Sequence, residues 1–524
     1  MRHTIFMVGT LALITVAWLG TTGCVAPGRS PSPVISPVTG PYSVRSFGAT
    51  GNGQTLDTAA INSAIAAANT AGGGTVSFPP GTYLATSIHL KSNVTLYLEQ
   101  GAIIKAASET VAAYDEAEPT VSTKYQDFGH SHWHNSLIWG ENVENISIIG
   151  PGLIWGEGLQ RSEGSTGHGV GNKAISLVNC HNVLLRDFSI LHGGWFGILA
   201  TGVNNLTIDN LKIDTNRDGM DVDCCNNVRI VNCSVNSPWD DGICLKSSYA
   251  LGYARSTENV TINNCFVTGG LIEGTLLDGT FKRSPDGYSG RTGRIKFGTE
   301  SNGGFKNITV SNCVFDNCCG LAIESVDGAD IEDVTINNLA MREIRNSPIF
   351  IRLGNRARGP DHPPVGVIRR VNISDVVVSG ASARLGSIIS GVPGHPVEDV
   401  SISNIQIVQD GGGDVEMASV EPPEKETAYP EPSMFGTMPS YGFFVRHARG
   451  VAFNHIKIST AAEDHRPAFV LDDVASADFA DLKCPKGTNA PAFNLKQVED
   501  FSLRQSAPLP DTTLKQGAEQ IFPE

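Results

Sequence analysis

Residues 205–211 read NLTIDNL, residues 227–233 NVRIVNC, residues 259–265 NVTINNC and residues 307–313 NITVSNC. In each phrase apolar and polar side chains alternate, the mark of a strand with one buried face. The phrase is already present as NVTLYL from residue 93 and NISIIG from 145. It persists as DVTINNL from 333, RVNISDV from 370, DVSISNI from 399 and GVAFNHI from 450. The closest copies stand about 22 residues apart, as from Asn205 to Asn227, a period that signals a solenoid rather than a sandwich or a barrel. Asn at the head of the copies from 93 to 307 fits a bend between strands, because its short amide tolerates left-handed backbone.

Working outward, the intervals 271–291, 354–366 and 410–441 are too long for one coil and are expected to be loops. Cys180, Cys233, Cys265 and Cys313 each follow an Asn at the same phase of the repeat. A buried thiol behaves as a small apolar residue, so these are expected to stack unpaired inside the solenoid. The neighbours Cys224-Cys225 and Cys318-Cys319 leave disulfides open, and no CxxC spacing points to zinc. Near the front, Asp57 is placed to cap a helix through Ala59–Ala71 with Ile61 and Ile65 on one face, stopped by Gly72-Gly73-Gly74. Such a helix would cover the open end of the solenoid.

Composition agrees with this reading. Of 524 residues, 40% are apolar and 17% charged, enough for a large core and unlike a disordered chain. The formal net charge of -15 argues against nucleic acid as a partner, since phosphate binding needs a basic footprint. An acidic polysaccharide would have to be held by a local basic cluster against that field.

Residues 1–24 read as an export signal. Arg2 and His3 precede an apolar run from Ile5 to Leu19, too short for a comfortable membrane span. Thr21-Thr22-Gly23-Cys24 resembles a bacterial lipobox, with Thr21 where Leu is usual, and marks Cys24 for a lipid that would attach the protein to a membrane. Residues 25–41 form a Pro/Ser-rich tether, and residues 42–524 the folded domain. The expected location is the periplasm or outer membrane as a lipoprotein, otherwise the medium, and the expected state is a monomer.

FGATGNGQTLDTAAINSAI at 47–65 and GGGTVSFPPGTYLATSIHLKSNVTLYLEQGA at 72–102 are similar to the opening of pectin-acting β-helix proteins, a segment that indicates fold alone. NRDGMDVD at 216–223 and DDGICLKSS at 240–248 resemble the first two signature motifs of glycoside hydrolase family 28, the polygalacturonase family. The resemblance spans about residues 42–460. It implies an all-β, single-domain, right-handed parallel β-helix with an N-terminal capping helix. It also implies a glycosidase acting on an acidic polysaccharide or oligosaccharide of the pectic class, with no cofactor and no metal.

Asp218 and Asp240 stand about one coil apart, so a solenoid would stack them on one face, with Asp241 adjoining. Three carboxylates this close cannot all ionise freely. One is expected to hold a proton beside ionised neighbours, the division that glycoside hydrolysis by inversion requires. The resemblance assigns Asp240 as general acid, with Asp218 and Asp241 positioning and deprotonating water. Asp221 and Asp223 read instead as turn aspartates capping backbone amides.

Two family motifs are altered. Gly293 stands where the family carries His, and Ala322-Ile323-Glu324 stands where it carries an Arg-Ile-Lys that grips a uronate carboxylate. Arg294-Ile295-Lys296 occurs one coil earlier, and its alternation puts Arg294 and Lys296 on one face. That makes them either a relocated carboxylate clamp or a surface ion pair with Glu300 or Glu324. Lys246 is a further substrate-binding candidate. These departures favour a different linkage, such as a rhamnogalacturonan backbone, or exo action on short chains. Weaker candidates are His130, His132 and His134 as a metal site or a cleft loop, Trp133 and Trp195 as sugar platforms or core, and Arg352, Arg356 and Arg358 as substrate contacts or solvated charge. The Pro-rich segment 421–442 reads as a cleft wall. The rival activities are calcium-dependent pectate lyase-type elimination and glycan binding without catalysis.

Overall fold

A computed structural model describes residues 42–521, except 121, 162–166, 286 and 485–489. The segment read as an export signal (1–24), Cys24 read as a lipid site, and the expected tether (25–41) lie outside the described residues. Nearly all strands join one 34-stranded sheet wound as a parallel β-helix. Each coil of its middle section carries three strands. In one coil these are Phe196–Thr201, Asn204–Asp209 and Lys212–Asp214, and in the next Asp218–Asp223, Asn226–Val231 and Ser234–Asn236. Neighbouring coils pair in register, Ile198 on Met220, Leu206 on Val228 and Ile213 on Val235, so like side chains stack along the axis.

The asparagine phrase fixes the corners as expected. Asn205, Asn227, Asn259 and Asn307 all hold φ between 55° and 57°, and Asn210, Asn232, Asn264 and Asn312 between 55° and 59°. Left-handed backbone costs an L-residue roughly 1–2 kcal/mol. Each buried Val, Leu or Ile behind the corner contributes about 1.5–3 kcal/mol relative to exposure, so the core wins. The amides also bond along the stack: Asn205 donates to Asn182 at 2.9 Å and Asn307 to Asn259 at 2.7 Å.

Cys180, Cys233, Cys265 and Cys313 are buried free thiols, and Cys224, Cys225, Cys318 and Cys319 are free as well. The first helix runs Thr58–Thr70 and buries Ile61, Ala64, Ile65 and Ala68 against the end of the core. Asp57 stands at its N-cap but caps nothing with its side chain. Its carboxylate instead accepts from the Thr50 amide at 2.7 Å and the Gly51 amide at 3.0 Å, holding the preceding turn. At the other end, Thr512–Ile521 pairs antiparallel with Phe493–Arg504 and ends the parallel run. Among the described residues no helix is long and apolar enough to cross a membrane.

One long face of the solenoid carries both aspartate motifs. Its successive strands are Asp218–Asp223, Ile243–Ser247, Ile295–Ser301, Leu321–Ser325, Ile349–Leu353 and Ser387–Ser390, each paired with the next. The long loops at 269–294 and 410–442 both enter this face.

Candidate active site

Asp218 opens its strand, and Asp240 and Asp241 sit in the turn just before the next. Met220 pairs with Ile243, so counting back two residues sets Asp218 level with Asp241. The glycines that follow make the stacking possible: a Cβ on Gly219 would lie 2.3 Å from the Gly242 carbonyl oxygen. One carboxylate oxygen from each of Asp218, Asp240 and Asp241 lies within 4.8 Å of the other two. The convergence expected from the sequence is present.

The three differ in access. Asp218 and Asp241 are 3% and 2% exposed, whereas the Asp240 side chain is 28% exposed and faces solvent. Arg217 donates from Nε to Asp240 at 3.1 Å, lies 3.6 Å from Asp218, and stacks its guanidinium 4.6 Å over Trp195. Asp241 takes Arg294 Nε at 2.7 Å and Lys296 Nζ at 3.3 Å.

These environments push the acids apart. Burial raises Asp218 well above the usual carboxylate range, and the charges of Asp240 and Asp221 raise it further. Burial and then Asp241 raise Asp240. Burial alone would lift Asp241 too, but Lys296 and Arg294 outweigh it and hold that group down at about 2. Asp218 and Asp240 therefore titrate as a pair that retains a proton beside a fixed carboxylate.

The basic residues are turned onto the protein's own acids. Arg294 forks onto Glu431, Nη2 to Oε1 at 2.7 Å and Nη1 to Oε2 at 3.0 Å, so its partners are Asp241 and Glu431 and not Glu300 or Glu324. Lys296 lies 3.5 Å from Glu324 and donates to the Tyr429 hydroxyl at 3.2 Å. Lys246 donates to Glu300 at 2.9 Å and lies 3.7 Å from Asp221. All three cations are buried.

Asp223 behaves as expected of a turn aspartate, accepting from the Ser248 amide at 2.8 Å. Asp221 does not: it is buried between Lys246 and His130, whose Nε2 lies 3.3 Å away. His132 stacks on Phe128 and His134 bonds Glu141, so the three histidines engage separate partners. Trp133 and Trp195 are core residues packed with Phe196 and Leu199. Arg352 is buried and donates to Ser390 and to the Glu424 carbonyl, while Arg356 pairs with Asp327; neither is solvated charge. Arg358 bridges to Asp127 at 3.4 Å, tying two loops together.

The altered family positions have a steric reason. Gly293 has φ 38°, and a Cβ there would lie 2.1 Å from the Thr268 carbonyl oxygen, so no side chain fits. Its amide donates to the Asp240 carbonyl at 2.9 Å and so helps seat the acid. Ala322 packs with Phe350, Leu385 and Phe435, where the 410–442 loop docks.

Four residues at this site escaped the sequence reading: Arg217, Trp239, Tyr429 and Glu431. Trp239 is 48% exposed beside Asp240, with the Tyr288 ring 5.6 Å away, and Tyr429 is 54% exposed above Lys296. Arg217 and Trp239 each directly precede a motif aspartate, which was a usable signal. Tyr429 and Glu431 come from a loop with no periodicity to place them.

Residues 42–190 match the family described as "Rhamnogalacturonase A/epimerase, pectate lyase-like", and residues 142–339 match the right-handed β-helix region. The chain is 26% identical over 383 residues to a probable polygalacturonase of Vitis vinifera, covering 69% of this chain and 73% of that protein. This is a glycoside hydrolase family 28-like β-helix. Two solved structures share its fold. The exopolygalacturonase of Thermotoga maritima is 19% identical with TM-score 0.60, covering 80% of this chain and 92% of that one. The family 28 exopolygalacturonase of Yersinia enterocolitica is 18% identical with TM-score 0.61, covering 83% and 78%.

Proposed function

We propose that this family 28-like protein hydrolyses a glycosidic bond in a pectic polysaccharide or oligosaccharide of the polygalacturonan type. The observation that carries the reading is the division within the aspartate cluster. Asp240, the accessible carboxyl, and the occluded Asp218 are both raised and share a proton, beside an occluded Asp241 that is held ionised. The 26% identity to a polygalacturonase adds the substrate class.

In this mechanism Asp240 gives its proton to the glycosidic oxygen as the bond to the anomeric carbon breaks. A water held by Asp218 and Asp241 attacks that carbon and loses its proton to Asp218. The proton then returns from Asp218 to Asp240 across the short gap between them, which restores the starting state. Asp241 keeps its charge throughout and stabilises the positive charge that develops on the ring. Inversion is the expected outcome, because Asp218 and Asp241 are too occluded to bond a sugar. Their spacing from Asp240 is tighter than the roughly 6.5–9.5 Å common in inverting enzymes, so the first-formed anomer is the property to measure.

Trp239 and Tyr429 supply exposed rings beside the acid, surfaces on which a sugar face can stack. A calcium-dependent elimination is less well supported, since Arg217, Arg294 and Lys296 already flank the three carboxylates and would repel a divalent cation. Incubation with polygalacturonate and with a rhamnogalacturonan backbone, in calcium and in chelator, tests the reading. New reducing ends without an ultraviolet-absorbing unsaturated product, unaffected by chelator, are expected, with the inverted anomer appearing first by proton NMR. A calcium-dependent absorbing product would favour the lyase, and binding without any product would leave a glycan-binding solenoid. Export through residues 1–24 and lipid attachment at Cys24 belong to the same reading, checked by fractionation and by Cys24→Ser.

A further inference from the structure

Beyond Lys296 the centre of the site face is closed. Arg352 holds the Glu424 carbonyl at 3.0 Å, Arg446 holds the Pro422 carbonyl at 2.8 Å, and the Asn355 amide donates to the Glu426 carbonyl at 2.7 Å. Phe435 pins the same loop into the apolar cluster of Phe350, Leu385 and Phe444. A sugar chain leaving Asp240 in this direction cannot lie over the strands.

The edge beside them stays open. A cavity of about 820 Å³ lies where the strands enter the face, lined by Arg291, Arg345, Arg384, Ser433 and Gly436. The 269–294 loop joins it to the active carboxyl. The Arg291 amide donates to the Pro238 carbonyl next to Trp239, and Arg345 Nη1 donates to the carbonyl of Tyr288, whose ring meets Trp239. Following strand pairing, Arg345 enters three coils beyond Asp240 and Arg384 four. At about 4.8 Å per coil these lie roughly 14 and 19 Å along the axis.

The three guanidinium groups have no carboxylate partner among the described residues. Arg291 is 7% exposed, donates from Nη1 to Asn317 at 3.0 Å and leaves Nε without a partner. Arg345 holds the one carbonyl, and Arg384 donates to Thr437 at 3.3 Å. Of the acids at the rim, Glu343 is already paired with Arg283 at 2.8 Å, and Asp410 is the other. In a chain of net charge -15, three unpaired arginines around one cavity are an anion site. The planar fork of arginine suits a carboxylate.

We propose that this cavity is a distal subsite for the carboxylate of a uronate in the bound chain, taking the role that Arg294 gives up to Glu431. The proposal rests on the pectic reading of the active site. Its test compares Arg345→Gln and Arg384→Gln with the parent on α-1,4-linked oligogalacturonates from dimer to hexamer. The ratio of kcat/KM for hexamer over dimer should fall about tenfold in each variant, the loss expected for one charge-assisted contact. An unchanged ratio in both variants overturns the subsite while leaving hydrolysis standing. Should the protein hydrolyse none of these, titration calorimetry with hexagalacturonate decides separately. Binding weakened in both variants, and insensitive to them when the carboxyls are methyl-esterified, supports the subsite. Absent binding, or equal loss with the esterified chain, overturns it.

Discussion

Arg294 spans two carboxylates, Asp241 through Nε at 2.7 Å and Glu431 through its terminal nitrogens at 2.7 and 3.0 Å. The Arg294 side chain is 2% exposed and Asp241 is as deeply buried, so that contact is made out of water and the charge bears directly on Asp241, while Glu431 stays partly open to solvent. An internal carboxylate thus sits in the fork that the sequence offered as a grip for a uronate.

Arg294→Met should therefore act first on pH dependence. Without this cation Asp241 rises from its value of about 2, since only Lys296 and the weaker influence of Lys246 then oppose burial. The acid limb of kcat/KM should move to higher pH. Stability should fall by about 3–5 kcal/mol, because two carboxylates lose a buried partner. A pH–rate profile whose acid limb stays in place would separate Arg294 from the ionisation of Asp241.

Asp240→Asn removes the only cluster carboxyl open to the groove. Loss of a general acid costs about 10²–10⁴ in kcat, while the rest of the groove can still bind. The expected result is that loss with little change in KM for oligogalacturonate. A variant that keeps parental kcat removes Asp240 from the chemistry.

The solenoid was legible because its signal repeats: alternation buries one face, and a left-handed corner recurs coil after coil, held by Asn through Asn307 and by Asp333, Arg370, Asp399 and Gly450 after it. The aspartates were legible because neighbouring coils register in space as they do in sequence. The partners of Arg294 and Lys296 were not. Glu431 and Tyr429 arrive from 133 or more residues away on a loop without period, and their contacts depend on where that loop packs. Asp57 departs from its expected role for a related reason. Its position before the helix is that of a cap, but the turn at Thr50 and Gly51 competes for the same carboxylate.

The stacked thiols give a chemical test of register. Burial raises Cys180 to about 11, and the neighbouring Cys233 together with burial raises Cys265 to about 12, so neither has an appreciable thiolate near neutrality. Cys180, Cys233, Cys265 and Cys313 should resist iodoacetamide in the native protein and react on unfolding, with mass spectrometry locating the label. Fast native labelling of all four would break the coil register that places Asp218 and Asp240.

Asp218→Asn should trade activity for stability, in a pH window set by the direction of its shift. Burial and the nearby Asp240 and Asp221 raise this carboxyl in the folded protein, so ionising it costs more there than in the unfolded chain. Below the unfolded pKa of about 3.9 both states hold the proton and the group costs nothing. As pH climbs from there through the raised folded value, the unfolded chain ionises first and stability drains away. Asparagine cannot ionise, so parent and variant should melt together near pH 4, with the variant pulling ahead towards pH 7. The gain should be on the order of 1 kcal/mol, about 1–2 °C in Tm for a chain this long, while kcat falls through loss of the base. Asp241 runs the opposite way: its stabilisation is present above about 3.9 and is lost as pH falls towards about 2, so Asp241→Asn should lower Tm at neutral pH. Melting curves of the two variants between pH 3 and pH 8 distinguish the residues, and a Tm at pH 7 that falls in Asp218→Asn would contradict the strained-acid picture of the site.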